Sequence, residues 1–278
     1  MTEPQSVLDG RSIALRRQII ETLKAGNRGH LGSALSLVEI LRVLYDDVLR
    51  YDARNPKWPD RDRFVLSKGH GCLALYVVLA DHGFFPKSEL TRFCGADGLL
   101  GGHPEHKVPG VEASTGSLGH GLSIAVGMAI AARCDRKTHR IITVIGDGES
   151  NEGSIWEAAL SAGKHRLENL TIVVDYNKHQ SYDTTAKVQD LEPLADKWRA
   201  FNFAVTEVDG HDVAALRRVF GGLPLQPARP SVVICHTVKG KGVAFVENNL
   251  KFHHMNSVSA EEYERLLGGL CEERSQGA

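Results

Sequence analysis

Ile141-Ile142-Thr143-Val144-Ile145-Gly146-Asp147-Gly148-Glu149 is the stretch whose reading decides the fold. An apolar, β-branched run that ends in Gly-Asp-Gly predicts a buried strand delivering a carboxylate at its carboxyl end. The next segment, Glu152-Gly-Ser-Ile-Trp-Glu-Ala-Ala-Leu-Ser-Ala-Gly163, has the apolar spacing of a helix. A second apolar run, Leu170-Thr-Ile-Val-Val174, ends in Asp175-Tyr176-Asn177. Together they predict a strand–helix–strand unit. In a right-handed parallel crossover both strand ends lie on one edge of the sheet, where ligands of open α/β sheets bind. Asp147 and Asn177 can therefore share one ion although 30 residues separate them. A carboxylate and an amide oxygen with no thiolate nearby suit Mg²⁺ or Ca²⁺, completed by phosphate oxygens and water. Singly, Asp-Gly after a strand reads as a turn and Asn as a cap; their pairing across one crossover favours the ion.

With 278 residues the chain has ample core for one large α/β domain or two small ones. A net charge of −1 with interspersed charges suggests no nucleic-acid or membrane surface. No apolar run is long enough to cross a bilayer, and Met-Thr-Glu-Pro-Gln is not a signal-peptide pattern, so a cytoplasmic location is expected. The five cysteines (72, 94, 134, 235 and 271) are scattered, which suits buried free thiols. Thirteen histidines, several beside glycine, are the one compositional hint of chemistry.

Upstream, residues 12–25 predict an amphipathic helix ended by Gly26-Asn27. Arg28-Gly-His30-Leu-Gly-Ser33 is a glycine-broken loop in which His30 reads as a cap. Ser36 with Glu39 has the spacing of a capping box opening the next helix. A short strand at 62–67 runs into Lys68-Gly69-His70-Gly71 at a helix start. That junction suits an anionic group near the helix amino terminus, and equally a solvated lysine beside a capping histidine. Residues 95–119 form a long Gly-rich loop, a length that is usually functional inside a compact domain. A Gly/Ala-rich helix at 118–132 has a face for close packing against another helix or a neighbouring chain. After the crossover come a polar loop (176–190), a helix (192–201), a strand (203–208), a helix (213–220) and a strand (231–237). The last strand leads into the basic turn Val238-Lys239-Gly-Lys-Gly242, and a helix at 260–267 closes the chain. The economical reading is one domain over 1–278: a doubly wound, mostly parallel sheet with helices on both faces and short terminal extensions.

Six motifs in this order resemble those of the transketolase family. They are Arg28-Gly-His30, Ser67-Lys-Gly-His70, Gly102-His103-Pro-Glu, Thr115-Gly-Ser-Leu118-Gly, Gly146-Asp-Gly-Glu with Asn177, and Lys239-Gly-Lys-Gly with Phe252-His253. The resemblance spans about His30 to His254 and implies a thiamine diphosphate-binding fold. It implies that Asp147 and Asn177 ligate Mg²⁺ (with Ca²⁺ or Mn²⁺ able to substitute) by their side chains, and His179 by its carbonyl. It places Ser33, Lys68, His70, Gly148, Glu149, Lys239 and His253 around the cofactor, with Gly116, Ser117 and Leu118 at its aminopyrimidine ring. His30, His70, His103 and His253 would serve catalysis facing the sugar, and Glu152 would point across a subunit boundary toward a partner's glutamate. The chemistry agrees. A diphosphate calls for a divalent cation, lysines and glycine-turn amides, and ketol transfer calls for groups that exchange protons near neutral pH. Three positions depart from the family pattern: Phe252 replaces the common Trp, His254 the usual Gly, and His120 the common Gln.

A complete transketolase is more than twice this length, and its middle domain supplies the glutamate that bonds the aminopyrimidine. The chain thus resembles the amino-terminal subunit of a split enzyme, active with a separate carboxyl-terminal subunit in an α2β2 heterotetramer acting on sugar phosphates. Other readings are the same chemistry on an unusual sugar (an apulose, sulfonated or deoxy ketose), the α subunit of a 2-oxo acid dehydrogenase, and a non-catalytic cofactor-binding subunit. Ser67-Lys-Gly-His70 and Gly102-His103-Pro speak against the dehydrogenase, because those histidines serve a polyol.

Overall fold

A computed structural model describes residues 8–270; the extreme amino terminus, Cys271 and the two ends of the single-domain reading lie outside the described residues. Among the described residues five strands form one sheet: β1 (Arg63–Leu66), β2 (Ile141–Gly146), β3 (Leu170–Tyr176), β4 (Ala204–Asp209) and β5 (Ser231–His236), in the order β1-β2-β3-β5-β4. All four pairings are parallel, so the sheet is purely rather than mostly parallel. The helices are α1 (Gly10–Gly26), α2 (Leu31–Leu35), α3 (Val38–Val43), α4 (Cys72–Asp81), α5 (His120–Cys134), α6 (Gly153–Lys164), α7 (Thr185–Val188), α8 (Leu194–Ala200), α9 (Val213–Gly221) and α10 (Ala260–Gly268).

The sheet separates two cores, and the two-residue period of each strand feeds both. In β2, Ile142 and Val144 pack with α1–α4, α9 and α10, while Ile141 and Ile145 pack with α5, α6 and α8. In β5, Val233 and Cys235 face the first core, and Val232 and Ile234 the second. This double burial is why the strands read as continuous apolar runs rather than alternating ones.

Local signals set the ends. The Asp9 carboxylate accepts the Ser12 N–H at 2.9 Å to cap α1, and Asn27 closes it in the left-handed region at φ 51°. The capping-box expectation at Ser36 is overturned. The chain is already helical from Leu31, and the Ser36 hydroxyl donates instead to the Ser33 carbonyl and to Asp175. Glu39 is completely buried against Arg16 and His211. His30 does sit at the amino end of α2, without a side-chain capping bond. The expected polar loop after β3 contains a short helix, α7, and a bridge between His179 and Thr184. Of the described cysteines Cys72 and Cys235 are buried, but Cys94 is only half-buried and Cys134 is exposed.

Gly163 and Gly127 make opposite demands on the helix packing. A Cβ on Gly163, near the end of α6, would lie 2.0 Å from the Phe201 carbonyl oxygen, so α6 and the turn after α8 meet only because the residue is glycine. Nothing lies within 4 Å of a Cβ on Gly127, on the exposed side of α5. Gly163→Ala should therefore destabilise by about 1–3 kcal/mol, the range for overpacking. Gly127→Ala should stabilise by roughly 0.4–1 kcal/mol through the unfolded chain. Urea denaturation midpoints moving in the same direction for both would contradict this packing.

Candidate active site

Parallel pairing brings every strand's carboxyl end to one edge, and a cavity of about 440 Å³ opens there. Its floor is the crossover. Gly146 is in register with Asp175, so Asp147 and Asn177 emerge from neighbouring strand ends, as the sequence predicts. Asp147 is buried, and its two oxygens accept the N–H groups of Gly148 (2.7 Å) and Lys178. The Asn177 side-chain oxygen accepts the His179 N–H at 3.1 Å.

Between the two strand ends lies a carboxylate to which the sequence gives no role. Asp175 is completely buried and accepts from Lys68, from Thr237, from Ser36 at 2.7 Å and from the Asn177 amide at 3.3 Å. Burial alone would raise its pKa; the Lys68 charge and these bonds bring it below the usual carboxylate value. Asp147 goes the other way. Burial and the neighbouring Asp175 charge push its carboxyl up to about 7. Lys239 is likewise buried, its amine donating to the carbonyls of His179 (3.2 Å) and Gln180 (3.1 Å). Burial and the Lys68 charge lower it to about 8.

Asp147 beside Asp175 and Lys239 beside Lys68 thus strain each other as like charges at the cavity floor. A divalent cation beside Asp147 and a polyanion beside Lys68 and Lys239 would relieve both strains, so the residues fit a metal–diphosphate pair. Among the described residues no three His, Cys, Asp or Glu side chains converge on a metal. An oxygen set of one carboxylate, one amide and one peptide carbonyl is the kind that suits Mg²⁺.

Glu149 has a different environment from its neighbour. Its carboxylate accepts from Ser67 (2.5 Å) and from the N–H groups of Gly119 (2.9 Å) and Gly146 (3.1 Å), while burial raises its pKa. Both oxygens serve the protein, tying β1, β2 and the start of α5 together beneath the cavity. Ser33 is buried in α2 and Leu118 is half-buried, both lining the cavity, whereas Ser117 is exposed outside that lining. Gly116 adopts φ 148°, and a Cβ there would strike the His103 ring at 2.9 Å. A side chain at 116 would therefore displace that histidine.

The upper wall is imidazole. The His30 ring lies 5.5 Å from His70, 5.9 Å from His103, 5.7 Å from His253 and 4.6 Å from His254, centroid to centroid. His253 is buried and His254, 4.4 Å away, is exposed at the lip, so both histidines line the cavity at different depths. Burial, aided by neighbouring imidazoles and both lysines, lowers His30 to about 4 and His253 to about 2, and holds His70 well below the usual value. Burial lowers His103 as well. The inner wall of His30, His70, His103 and His253 is thereby biased toward the uncharged form. It can donate and accept hydrogen bonds from hydroxyl groups without presenting a cationic face.

Glu152 stands apart at the rim. It is exposed, lies at the start of α6 without capping it, and its carboxylate makes no hydrogen bond or ion pair with the described residues. A Cβ on Gly119 would lie 2.9 Å from its own Cβ, which fixes it beside the entrance to α5. Besides Asp175, sequence reasoning missed Gln180, whose side chain lies over Gly148. The only signal for either was position at the end of β3 or in the loop that follows it.

Residues 10–267 match the family described as "Transketolase, thiamine diphosphate binding domain". The chain is 41% identical over 258 residues to one of the subunits of the apulose-4-phosphate transketolase of Phocaeicola vulgatus, covering 92% of this chain and 91% of that one. It is 42% identical to the 6-deoxy-6-sulfo-D-fructose transketolase subunit SqwG of a Clostridium species, covering 92% and 93%. The fold superposes on transketolase from Leishmania mexicana with a TM-score of 0.86 at 29% identity, covering 95% of this chain but 42% of that one. The sheet edge and its cavity are thus found in a chain that belongs to the transketolase family, through its thiamine diphosphate-binding domain.

Proposed function

We propose that this chain is the cofactor-binding subunit of a two-chain cytoplasmic transketolase, forming one thiamine diphosphate-binding domain over its whole length. The enzyme moves a two-carbon ketol unit from a ketose, or ketose phosphate, to an aldose acceptor. The observation that supports this reading is one cavity with Asp147, Asn177, Lys68 and Lys239 at its floor and a cluster of imidazoles as its wall. A floor alone would suit many phosphate sites. The wall adds recognition of a polyol.

In this reading Asp147, Asn177 and the His179 carbonyl hold Mg²⁺, Lys68 and Lys239 meet the diphosphate, and Gly148 lets it approach closely. Ser33, Gly116 and Leu118 flank the heterocycles, Ser117 lies outside the lining, and Glu149 keeps the Gly119 and Gly146 backbone in place. Bound there, thiamine diphosphate supplies the electron sink for breaking and making the carbon–carbon bond. The chain's own work is proton and hydroxyl management. His30, His70, His103 and His253 orient the sugar hydroxyls and pass protons to and from its oxygens. Glu152, whose carboxylate bonds to none of the described residues, faces a carboxyl group on the second chain, where two such groups in contact would share a proton.

The second chain is the remainder of the enzyme, in an α2β2 assembly. Support comes from two relatives named as subunits that match nearly end to end. Those relatives' names also favour a substrate such as apulose 4-phosphate or 6-deoxy-6-sulfo-D-fructose.

Asp147→Ala should abolish Mg²⁺-dependent cofactor binding, costing about 3–5 kcal/mol as for a broken buried charge pair; calorimetry that finds unchanged affinity removes Asp147 from the site. Acid should act through the wall. Between pH 6.5, the ordinary histidine value, and about 4, the unfolded chain protonates His30 and the folded chain does not. Stability there rises with pH and is lost as pH falls. The denaturation midpoint of His30→Gln should decline less steeply than that of the wild type across this window, and parallel declines would show that His30 is not held neutral. Finally, the purified chain with Mg²⁺ and thiamine diphosphate should show no ketol transfer from xylulose 5-phosphate to ribose 5-phosphate. Turnover by this chain alone would refute the two-chain reading, and activity that appears only with a second chain supports it.

A further inference from the structure

Lys239, placed on the diphosphate in the function proposed above, is gripped from outside the cavity by a buried charge cluster. At its centre is Glu39 of α3, 0% exposed. Arg16 of α1 donates to its two oxygens, Nη1 at 2.5 Å and Nη2 at 2.9 Å. His211, in the turn after β4, contacts the same carboxylate through Nδ1 at 2.8 Å. Burial raises the Glu39 pKa, but the Arg16 charge and these bonds outweigh it and hold the carboxyl well below its usual value.

Each partner of Glu39 reaches on to the turn that carries Lys239. Arg16 Nε donates to the Lys241 carbonyl at 2.8 Å. His211 Nε2 accepts the Val238 N–H at 2.9 Å. A peptide N–H can only donate, so Nε2 holds the lone pair and Nδ1 the proton that Glu39 accepts. One carboxylate therefore fixes the tautomer of a histidine and the fork of an arginine. Those two groups hold the turn immediately before and two residues after Lys239. A third clamp, the Gly240 N–H on the Gly32 carbonyl at 3.0 Å, ties the turn to α2. Gly242, at φ 95°, leaves no room for a side chain: a Cβ would lie 2.8 Å from Arg16 Cδ. None of Arg16, Glu39 and His211 lines the cavity.

A merely structural role would need only the Arg16–Glu39 pair, which already joins α1 to α3. The His211 bridge to Val238 adds nothing to that joint. It adds control of the turn. We propose that the Arg16–Glu39–His211 cluster is a positioning device for Lys239, with the acceptor nitrogen of His211 setting the turn that aims the ammonium at the diphosphate.

Two substitutions at 211 separate its two bonds. Glutamine places an acceptor near the Nε2 position and keeps the Val238 bond. Asparagine places a donor near Nδ1 and keeps only the Glu39 bond. The probe is inorganic diphosphate with Mg²⁺, titrated calorimetrically into the full-length chain, because the proposed diphosphate contacts all belong to this chain. His211→Asn should weaken binding about 10-fold or more, the scale of one hydrogen bond at a charged site, while His211→Gln stays close to wild type. In a Lys239→Met background, His211→Asn should have no further effect, a coupling that general loss of stability would not produce. Equal weakening by the two 211 variants, or a loss that persists without Lys239, overturns the proposal. Should the asparagine variant fail to fold, Gly242→Ala, which displaces Arg16 from the other side of the turn, makes the same comparison against Lys239→Met. Failure of the wild-type chain itself to bind diphosphate with Mg²⁺ would instead count against the proposed function.

Discussion

A carboxylate with no contact to solvent sits where four segments of this chain meet. Asp175 receives Lys68 from the end of β1, Ser36 from between α2 and α3, Thr237 from the end of β5, and Asn177 from its own strand end. An isolated charge so deep would be prohibitive; four donors make it tolerable, and in return each donor is held in one place. The geometry of the cavity floor follows. Lys68 is oriented by Asp175, Asp147 feels the Asp175 charge, and the Asn177 amide gives its nitrogen to Asp175 while its oxygen accepts the His179 N–H. Truncating Asp175 would leave Lys68 buried without its counter-ion and release three elements at once.

The fold was legible because doubly buried strands leave an unmistakable trace. Ile141–Gly146 and Leu170–Tyr176 are buried on both faces, and parallel strands of that kind have no alternating pattern. Asp147 and Asn177 were legible for the same reason, since a polar residue just past such a run must emerge at the sheet edge. The histidines could be nominated only through resemblance, because nothing in Arg28-Gly-His30 or Gly102-His103-Pro alone distinguishes a cavity wall from a cap. Ser36 and Glu39 misled through local spacing. The capping-box pattern matched, but tertiary partners 139 and 172 residues away took both side chains. Asp175 and His211 were illegible for a related reason: their partners are assembled from distant segments, and no periodicity encodes such meetings.

The imidazole wall illustrates how burial assigns chemistry. Five histidines near one another would repel if charged, and two buried lysines add to that repulsion. At His30, His70 and His253 neutrality is thus favoured by burial and proximity rather than by any single partner. A wall of neutral rings discriminates by hydrogen-bond direction and shape, properties that suit hydroxylated carbon chains better than anions.

The floor and the wall differ in what carries them. Asp147 and Asn177 follow directly on strands fixed by register, whereas His30, His103, His253 and His254 hang from connecting segments outside the sheet. Lengthening or reshaping those segments leaves the strand ends undisturbed. Such an arrangement lets inheritance uncouple two traits: the grip on a common cofactor stays constant while the accepted carbohydrate drifts. Lineages built on this frame can diversify their diet of sugars by editing loops alone.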